Sequence, residues 1–163
     1  MNVQEISDRL EIEATMYRFA EGLDRRDWVT YRNVFTDEVE IDYSSYRAES
    51  VGTYRAEDWV ARSLRLFPGL DASQHTIANV KITFPSNGNG DRAVVDAYVR
   101  ADHVYVDEFG TRVWTLGGSY RDDLVRTPDG WRICAKRLLM KWEEGDRSIM
   151  QLAIERAASD GSG

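Results

Sequence analysis

The stretch QHTIANVKITFPSNGNGD, residues 74–91, decides the fold class. Residues 74–84 alternate as in a strand, with His75, Ile77 and Asn79 on one face and the residues between them on the other. The segment SNGNGD that follows is a strong hairpin signal. Because a hairpin joins antiparallel strands, we predict a mostly antiparallel sheet in the C-terminal half.

The remainder of this half continues the same pattern. We predict strands over 91–107 and 111–126, joined by a turn at 108–110, and a strand within WRICAKRLLMKW, residues 131–142, after the turn TPDG. The segment SIMQLAIERAA, residues 148–158, has helical spacing.

Helical periods dominate the N-terminal half. We predict helices over 5–24 and 56–67, and between them a short helix with Trp28, Tyr31 and Phe35 on one face. EVEIDYSSY, residues 38–46, alternates as a strand, with Tyr43 on its apolar face. Helices that are segregated from the sheet indicate an α+β fold. We expect one domain over 1–145, followed by a helix and tail over 146–163.

Composition excludes several classes of partner. The chain has 163 residues and a net charge of −7, and its basic residues are dispersed, which argues against nucleic acid or an anionic membrane surface. No signal peptide and no apolar stretch of about 20 residues is present, so we predict no membrane association. The lone Cys134 suits a reducing compartment, and we predict a cytoplasmic protein.

Asp24 is the least expected residue of the first helix. In EGLDRRDWVTYRNVF, residues 21–35, Asp27 precedes Trp28 and is predicted to cap the second helix. Asp24 instead falls in the last turn of the first helix, where the macrodipole disfavours a carboxylate, and it lies on the apolar arc of that helix. A buried carboxylate needs a partner.

The two histidines, His75 and His103, are candidates for that partner. Each lies within a predicted strand and shares a face with apolar residues. A histidine in this setting is often a core residue bonded to a backbone carbonyl. A histidine paired with Asp24 would instead be a general base, because the carboxylate orients the ring and stabilises its protonated form.

Other kinds of site have weaker signals. The histidines show no metal-ligand spacing, so we predict no metal site, and no nucleophile elbow occurs and Cys134 has no histidine beside it, so nothing indicates nucleophilic catalysis. The hydroxyl of Tyr43 could donate to a substrate carbonyl or simply find one partner in the core. Arg137 alternates with Trp131, Ile133 and Ala135, which allows an inward position, and exposure at a strand end is an equal alternative.

Five segments in order resemble one known family. YRFAEGLDRRDW, VEIDYSS, HTIANVKI, ADHVY and DGWRICAKR are similar to segments of the SnoaL-like branch of the nuclear transport factor two-like superfamily, within residues 5–145. The likeness is greatest to the group of scytalone dehydratase, bile-acid 7α-dehydratase and hexachlorocyclohexane dehydrochlorinase. The resemblance implies a cone-shaped barrel, in which helices cap a curved sheet around a deep apolar pocket, and acid/base chemistry without a cofactor.

The resemblance also implies roles for four residues. The family's catalytic aspartate falls on Asp24, its histidine base on His75, the tyrosine of the dehydratase's first strand on Tyr43, and its second histidine on His103. Substrate-polarising positions differ: the tyrosine before the dehydratase's aspartate becomes Leu23. The dehydratase's pocket asparagine falls near residues 117–118, which are glycines, and the dehydrochlorinase's lysine becomes Phe19, whereas its arginine corresponds to Arg137.

These observations lead to a functional prediction. We expect a cofactor-free lyase or isomerase in which His75 removes a proton, Asp24 holds the ring, and Tyr43, with a water or His103, assists at the oxygen or leaving group. The substrate is predicted to be a small apolar cyclic or polyketide-like compound in a pocket whose wall includes Trp28, Tyr31, Trp59, Phe67 and Arg137. The alternatives are a polyketide cyclase and a non-catalytic binding or assembly module, like the small subunits of aromatic-ring dioxygenases.

We also predict a homodimer or homotrimer formed through the sheet. The face of the later strands that we assign to the outside carries Val94, Tyr98, Val104, Trp114, Leu116 and Leu138. So much apolar surface is seldom left in water.

Overall fold

A single six-stranded sheet organises the chain in the computed structural model, which describes residues 2–86 and 90–161. The strands are β1 Phe35–Asp42, β2 Val51–Arg55, β3 Ala72–Thr83, β4 Arg92–Asp107, β5 Gly110–Thr127 and β6 Gly130–Gly145. Their order across the sheet is β2-β1-β6-β5-β4-β3. Only β1 and β6 run parallel among the described pairs, so the predicted, mostly antiparallel α+β fold is confirmed.

Four helices and one 3₁₀ turn accompany the sheet. They are α1 Val3–Asp24, α2 Trp28–Asn33, α3 Ala56–Leu64, the 3₁₀ turn Phe67–Gly69, and α4 Ile149–Asp160. The predicted third helix therefore ends earlier than expected, at Leu64. The edge strand β2 was not predicted, because its five residues are mostly exposed and show no alternation of burial. No helix among residues 2–86 and 90–161 is long and apolar enough to cross a membrane.

Helix α1 lies against the sheet along a narrower stripe than its sequence indicates. Met16, Phe19 and Leu23 are buried, whereas Leu10 and Tyr17, apolar residues that recur at helical spacing in the same segment, are exposed. The buried stripe therefore runs from Asp8 and Ile12 to Leu23, and it leads to Asp24.

The pairing of β3 with β4 is the predicted hairpin. The two strands are antiparallel from the pair Ala72–Val104 to the pair Thr83–Val94. Residues 87–89, at the centre of the predicted turn, lie outside the described residues.

A β-bulge in β3 reverses the alternation that the sequence suggests. Asn79 adopts a left-handed φ of 52°, and the register with β4 shifts between Ala78 and Lys81. The extra residue turns the later part of the strand over. Ile77 before the bulge and Ile82 after it therefore both pack into the core, although the sequence assigned them to opposite faces.

A second register shift, between β5 and β6, has a similar effect on the site. The shift lies between Asp123 and Leu124 of β5, which pair with Ala135 and Ile133 of β6. Beyond it Lys136 is buried and Arg137 is 52% exposed, paired with Asp42 at 3.2 Å. The prediction that Arg137 points inward is wrong, because strict alternation does not continue through a bulge.

The predicted outer face of the sheet is also partly wrong. Trp114 and Leu116 pair with His103 and Ala101 of β4, and cross-strand partners share a face. Trp114, Leu116 and Leu138 are therefore buried on the inner face, while Tyr98 is exposed on the outer one. The outer face is less apolar than expected, and the dimer or trimer stays a prediction.

Candidate active site

The segment Asp24–Asp27 joins α1 to α2 through a Schellman motif. The N–H of Asp27 donates to the carbonyl of Gly22 at 2.8 Å, and that of Arg26 to the carbonyl of Leu23 at 3.3 Å. Arg26 has a φ of 58°, a position that favours glycine and costs about 1–2 kcal/mol in other residues. Its guanidinium donates to the carbonyls of Leu23 and Asp24, where a cation offsets the negative end of the helix.

Asp27 caps α2 as predicted. Its carboxylate accepts from the N–H of Thr30 at 3.0 Å and from the hydroxyl of Thr30 at 2.7 Å. The two aspartates of the segment therefore have separate tasks, since Asp27 belongs to the second helix and Asp24 is free to face the sheet.

Asp24 binds His75 through both of its oxygens. Oδ1 lies 2.7 Å from His75 Nδ1, and Oδ2 accepts the backbone N–H of His75 at 2.7 Å. β3 is an edge strand, so such N–H groups need a partner outside the sheet. Ser73 donates to Oδ1 at 2.9 Å, and Arg26 donates to Ser73 at 2.8 Å. The carboxylate therefore has three hydrogen-bond partners at the edge of the sheet, and Arg26 supports one of them, Ser73.

The hydrogen bonds keep Asp24 ionised. Burial acts to raise the pKa of Asp24, but the bonds from the His75 ring, its backbone N–H and Ser73 outweigh burial and hold that pKa below its ordinary value. An ionised Asp24 can only accept, so Nδ1 of His75 carries the proton that they share. In the neutral ring, Nε2 of His75 is therefore the nitrogen that can accept a proton.

A cavity of about 500 Å³ lies between the helices and the inner face of the sheet. His75 is part of its wall, with a side chain only 5% exposed. Of the predicted pocket residues, Tyr31, Tyr43, Trp59, Phe67 and His103 line the cavity as well. The wall is largely apolar and aromatic, which is typical of sites for small organic molecules.

Trp28 was predicted to line the pocket, and this prediction is wrong. It lies half-buried outside the cavity wall, with its ring edge-on to Tyr31 at 6.3 Å. Trp28 is the first residue of α2, and the ring of Tyr31 occupies the inward position of that short helix.

His103 is a neutral neighbour of His75. Their ring centroids are 5.7 Å apart, and Phe67 packs against both rings. Burial and the nearby His75 lower the pKa of His103 to about 3. Nδ1 of His103 lies 3.2 Å from the carbonyl of Trp114, which can only accept, so Nε2 is unprotonated. His103 can therefore accept a hydrogen bond from a ligand but cannot donate one.

Tyr31, Tyr43 and Tyr120 are three of the hydroxyl-bearing residues of the cavity wall, which also includes Tyr46, Ser50 and Ser63. Burial raises the pKa of Tyr31 to about 12, and it also raises the pKa values of Tyr43 and Tyr120, so all three stay protonated at neutral pH. The rings of Tyr43 and Tyr120 stack with centroids 6.4 Å apart, and their hydroxyls interact. Tyr120 was not among the predicted site residues, although its position two residues after the glycine pair 117–118 was a usable signal.

A buried ion pair behind Tyr120 was also missed. Lys136 Nζ lies 2.7 Å from Asp122 Oδ2, and both side chains are 0% exposed. The ammonium group lies 3.5 Å from the ring centroid of Tyr120 and 3.9 Å from that of Phe19. Burial raises the pKa of Asp122 and lowers that of Lys136. Sequence alternation could not find the pair, because the bulge in β6 reverses the positions of Lys136 and its neighbour.

Among the residues that the structure describes, no group of three or more His, Cys, Asp or Glu side chains is arranged to hold a metal ion. Asp24 and His75 instead form a pair beside a neutral His103. Such a pair can take up and return one proton at Nε2 of His75.

Comparison with known proteins identifies relatives of the chain. A family model described as "SnoaL-like domain" matches residues 4–137. An uncharacterised protein of Mycobacterium tuberculosis is 31% identical over 133 residues, covering 82% of this chain and 85% of the relative.

Solved structures share the fold. A protein of Kribbella flavida, 29% identical, has a TM-score of 0.79 and covers 94% of this chain and 99% of its own. A candidate scytalone dehydratase of Novosphingobium aromaticivorans, 20% identical, has a TM-score of 0.74, with coverages of 90% and 93%. A hexachlorocyclohexane dehydrochlorinase of Novosphingobium barchaimii, 16% identical, has a TM-score of 0.70, with coverages of 90% and 95%. The two structures that are 20% and 16% identical to this chain show a likeness of fold alone.

Proposed function

The chain belongs to the SnoaL-like domain family, and we propose that it is a cofactor-independent lyase or isomerase that starts by removing a proton α to a carbonyl. One observation carries the proposal: Asp24 Oδ1 lies 2.7 Å from His75 Nδ1, with the ring of His75 in the cavity wall. A structural role alone does not require a serine and an arginine to support the carboxylate that binds one histidine.

His75 is the general base of the proposed reaction. Its Nε2 lone pair takes the proton from the substrate carbon, and the electrons of that C–H bond move toward the carbonyl to form an enolate. The resulting imidazolium keeps its Nδ1–H bond to ionised Asp24, which stabilises the new positive charge. A proton transfer assisted in this way typically contributes a factor of about 10²–10⁴.

The enolate oxygen needs a donor, and the tyrosines are suited to this task. Tyr43 and Tyr120 line the cavity and stay protonated, and Lys136 adds positive potential behind the Tyr120 ring. His103 is excluded as the donor by its unprotonated Nε2, which instead can accept a substrate hydroxyl. From the enolate, a β-hydroxyl leaves as water with the proton of the His75 imidazolium, which gives the lyase reaction. In a substrate whose enolate is conjugated to a second double bond, return of that proton to the γ-carbon gives the isomerase reaction.

The proposed substrate is a small, mainly apolar cyclic or polyketide-like ketone. A cavity of about 500 Å³ with a largely aromatic wall suits one or two fused rings. The fold shared with a candidate scytalone dehydratase and with a dehydrochlorinase supports elimination chemistry of this kind. A polyketide cyclase would use the same base on a longer substrate.

The test measures proton removal directly. Cyclic ketones and β-hydroxyketones are incubated with the protein in D₂O, and exchange of the α-protons is followed by NMR. We expect Asp24→Asn and His75→Gln each to slow exchange by about 10²–10⁴-fold while changing ligand affinity little. Because the two residues act as one unit, the double variant should lose little more than either single variant.

Asp27→Asn is the matched control. It makes the same change three residues later, and asparagine is an equally good helix cap, so exchange should continue at the wild-type rate. Undiminished exchange in Asp24→Asn would refute the proposed dyad. A binding or assembly module predicts that no ketone of the panel is exchanged and that Asp24→Asn alters only affinity or stability.

A further inference from the structure

The charged residues of the cavity wall all have one sign. The sequence holds 28 acidic and 21 basic residues, yet the described wall contains Arg47, Arg62 and Arg65 and no Asp or Glu. His75, His103 and Tyr120 are almost fully buried, whereas Arg47 and Arg65 are exposed and Arg62 is half-buried. The arginines therefore mark the end of the cavity that is open to solvent.

Arg62 is held in place by neutral groups. Its guanidinium donates to the hydroxyl of Tyr54 at 3.1 Å and to that of Ser50 at 3.2 Å, and it lies over the rings of Tyr54 and Trp59. No ion pair forms between Arg62 and any carboxylate of the described chain. Two of its five N–H donors are used, so a fixed, unneutralised cation with free donors faces the cavity.

Arg65 strengthens this feature. It follows Arg62 by one turn, at the end of α3, so the two side chains lie on the same side of the helix. Its guanidinium has no carboxylate partner among the described residues either, and Arg47 is paired only with exposed Glu49, at 3.5 Å. In a chain with a net charge of −7, most arginines have acidic partners nearby, and these two do not.

We propose that the substrate is an organic anion: an apolar ring system that carries one carboxylate, bound by Arg62 and Arg65 at the open end of the cavity. Planar guanidinium groups bind carboxylates through paired hydrogen bonds, and the low-dielectric aromatic wall strengthens them. The placement of the reacting carbon at His75 rests on the proposed function, but the anion site does not. A carboxylate anchored among the arginines would orient the ring toward the closed, basic end.

Two fluorescent probes that differ by a single anionic group test the site. 8-Anilinonaphthalene-1-sulfonate carries a sulfonate, and N-phenyl-1-naphthylamine has the same rings without it. We expect the wild-type protein to bind the sulfonate at least 10-fold more tightly, and this preference to decline with added salt. Arg62→Gln should lower the affinity for the sulfonate probe by about 10-fold and change the affinity for the neutral probe by less than about two-fold. The affinity of Arg62→Lys for the sulfonate probe should lie between those of the wild type and Arg62→Gln.

Two further variants make the test specific. Arg65→Gln removes a charge that has no structural partner, so it should reduce the preference for the sulfonate without affecting folding. Arg100→Gln makes the same change in net charge on the outer face of the sheet and should leave both probes unaffected.

Three results would overturn the proposal: equal binding of the two probes by the wild-type protein, equal losses for both probes in Arg62→Gln and Arg65→Gln, or no binding of the sulfonate. Asp24→Asn separates this proposal from the catalytic one. It should leave the preference for the sulfonate intact while proton exchange is lost, so either proposal can fail while the other stands.

Discussion

Replacing Lys136 by methionine should strongly destabilise the fold. The change keeps the length of the side chain but leaves the carboxylate of Asp122 without its 2.7 Å partner, in a position that is 0% exposed. The other oxygen of Asp122 has no well-aligned hydrogen bond to the described residues. Breaking a buried pair on one side costs about 3–5 kcal/mol, which is a large share of the 5–15 kcal/mol that stabilises a typical domain.

Urea unfolding followed by tryptophan fluorescence measures this loss, because Trp114 and Trp131 are buried. The double variant Lys136→Met/Asp122→Val removes both charges and places a β-branched residue in the strand. We expect it to recover to within about 2 kcal/mol of the wild type. Such a recovery would show that the loss in the single variant comes from an unpaired buried carboxylate rather than from altered packing.

Lys141→Met is the control, since Lys141 is exposed on the same strand, and it should change the free energy of unfolding by no more than about 0.5 kcal/mol. If Lys136→Met costs less than about 1 kcal/mol, or if the double variant is as unstable as the single one, the pair does not have the energetic role that its burial indicates.

Two other predictions concern acid stability and the C-terminal helix. The pKa of His103 is about 3 in the native state and about 6.5 when unfolded, so between these pH values only the unfolded chain takes up the proton, and the free energy of unfolding should fall as the pH drops from about 6.5 toward 3. In urea titrations from pH 7 to 4.5, the free energy of unfolding should decline less in His103→Gln than in the wild type. An equal decline in both would contradict a buried neutral histidine. A Cβ on Gly69 would lie 1.8 Å from the carbonyl oxygen of Ala153 in α4, so Gly69→Ala should lower the free energy of unfolding by about 1–3 kcal/mol. Gly161→Ala is the control and should not lower it, because its Cβ would lie 3.4 Å from the carbonyl oxygen of Ala157. Equal thermal midpoints for the two variants would contradict the close packing of α4.

The sequence by itself determined the kinds of element and the importance of Asp24, with His75 and His103 as its candidate partners. Alternation and the hairpin signal predicted the antiparallel strands, because a strand that buries one face has a period of two residues. Asp24 was identifiable because it is unfavourable where it stands, at the negative end of a helix and on its apolar side. The capping of α2 by Asp27 was likewise a local feature. Such features depend on near neighbours in the chain, so they can be inferred without knowing the fold.

Tertiary structure alone decided which residues face the cavity. Asn79 and the register shift in β6 each add a residue to one strand, and one extra residue exchanges the two faces of everything that follows. Lys136 is inside and Arg137 outside for this reason. The arginines of the cavity mouth and Tyr120 line the same cavity, but they lie on elements far apart in sequence. No local sequence pattern indicates that they share a cavity. The pattern of the sequence predicts a strand, but the register of its neighbours determines where each side chain points.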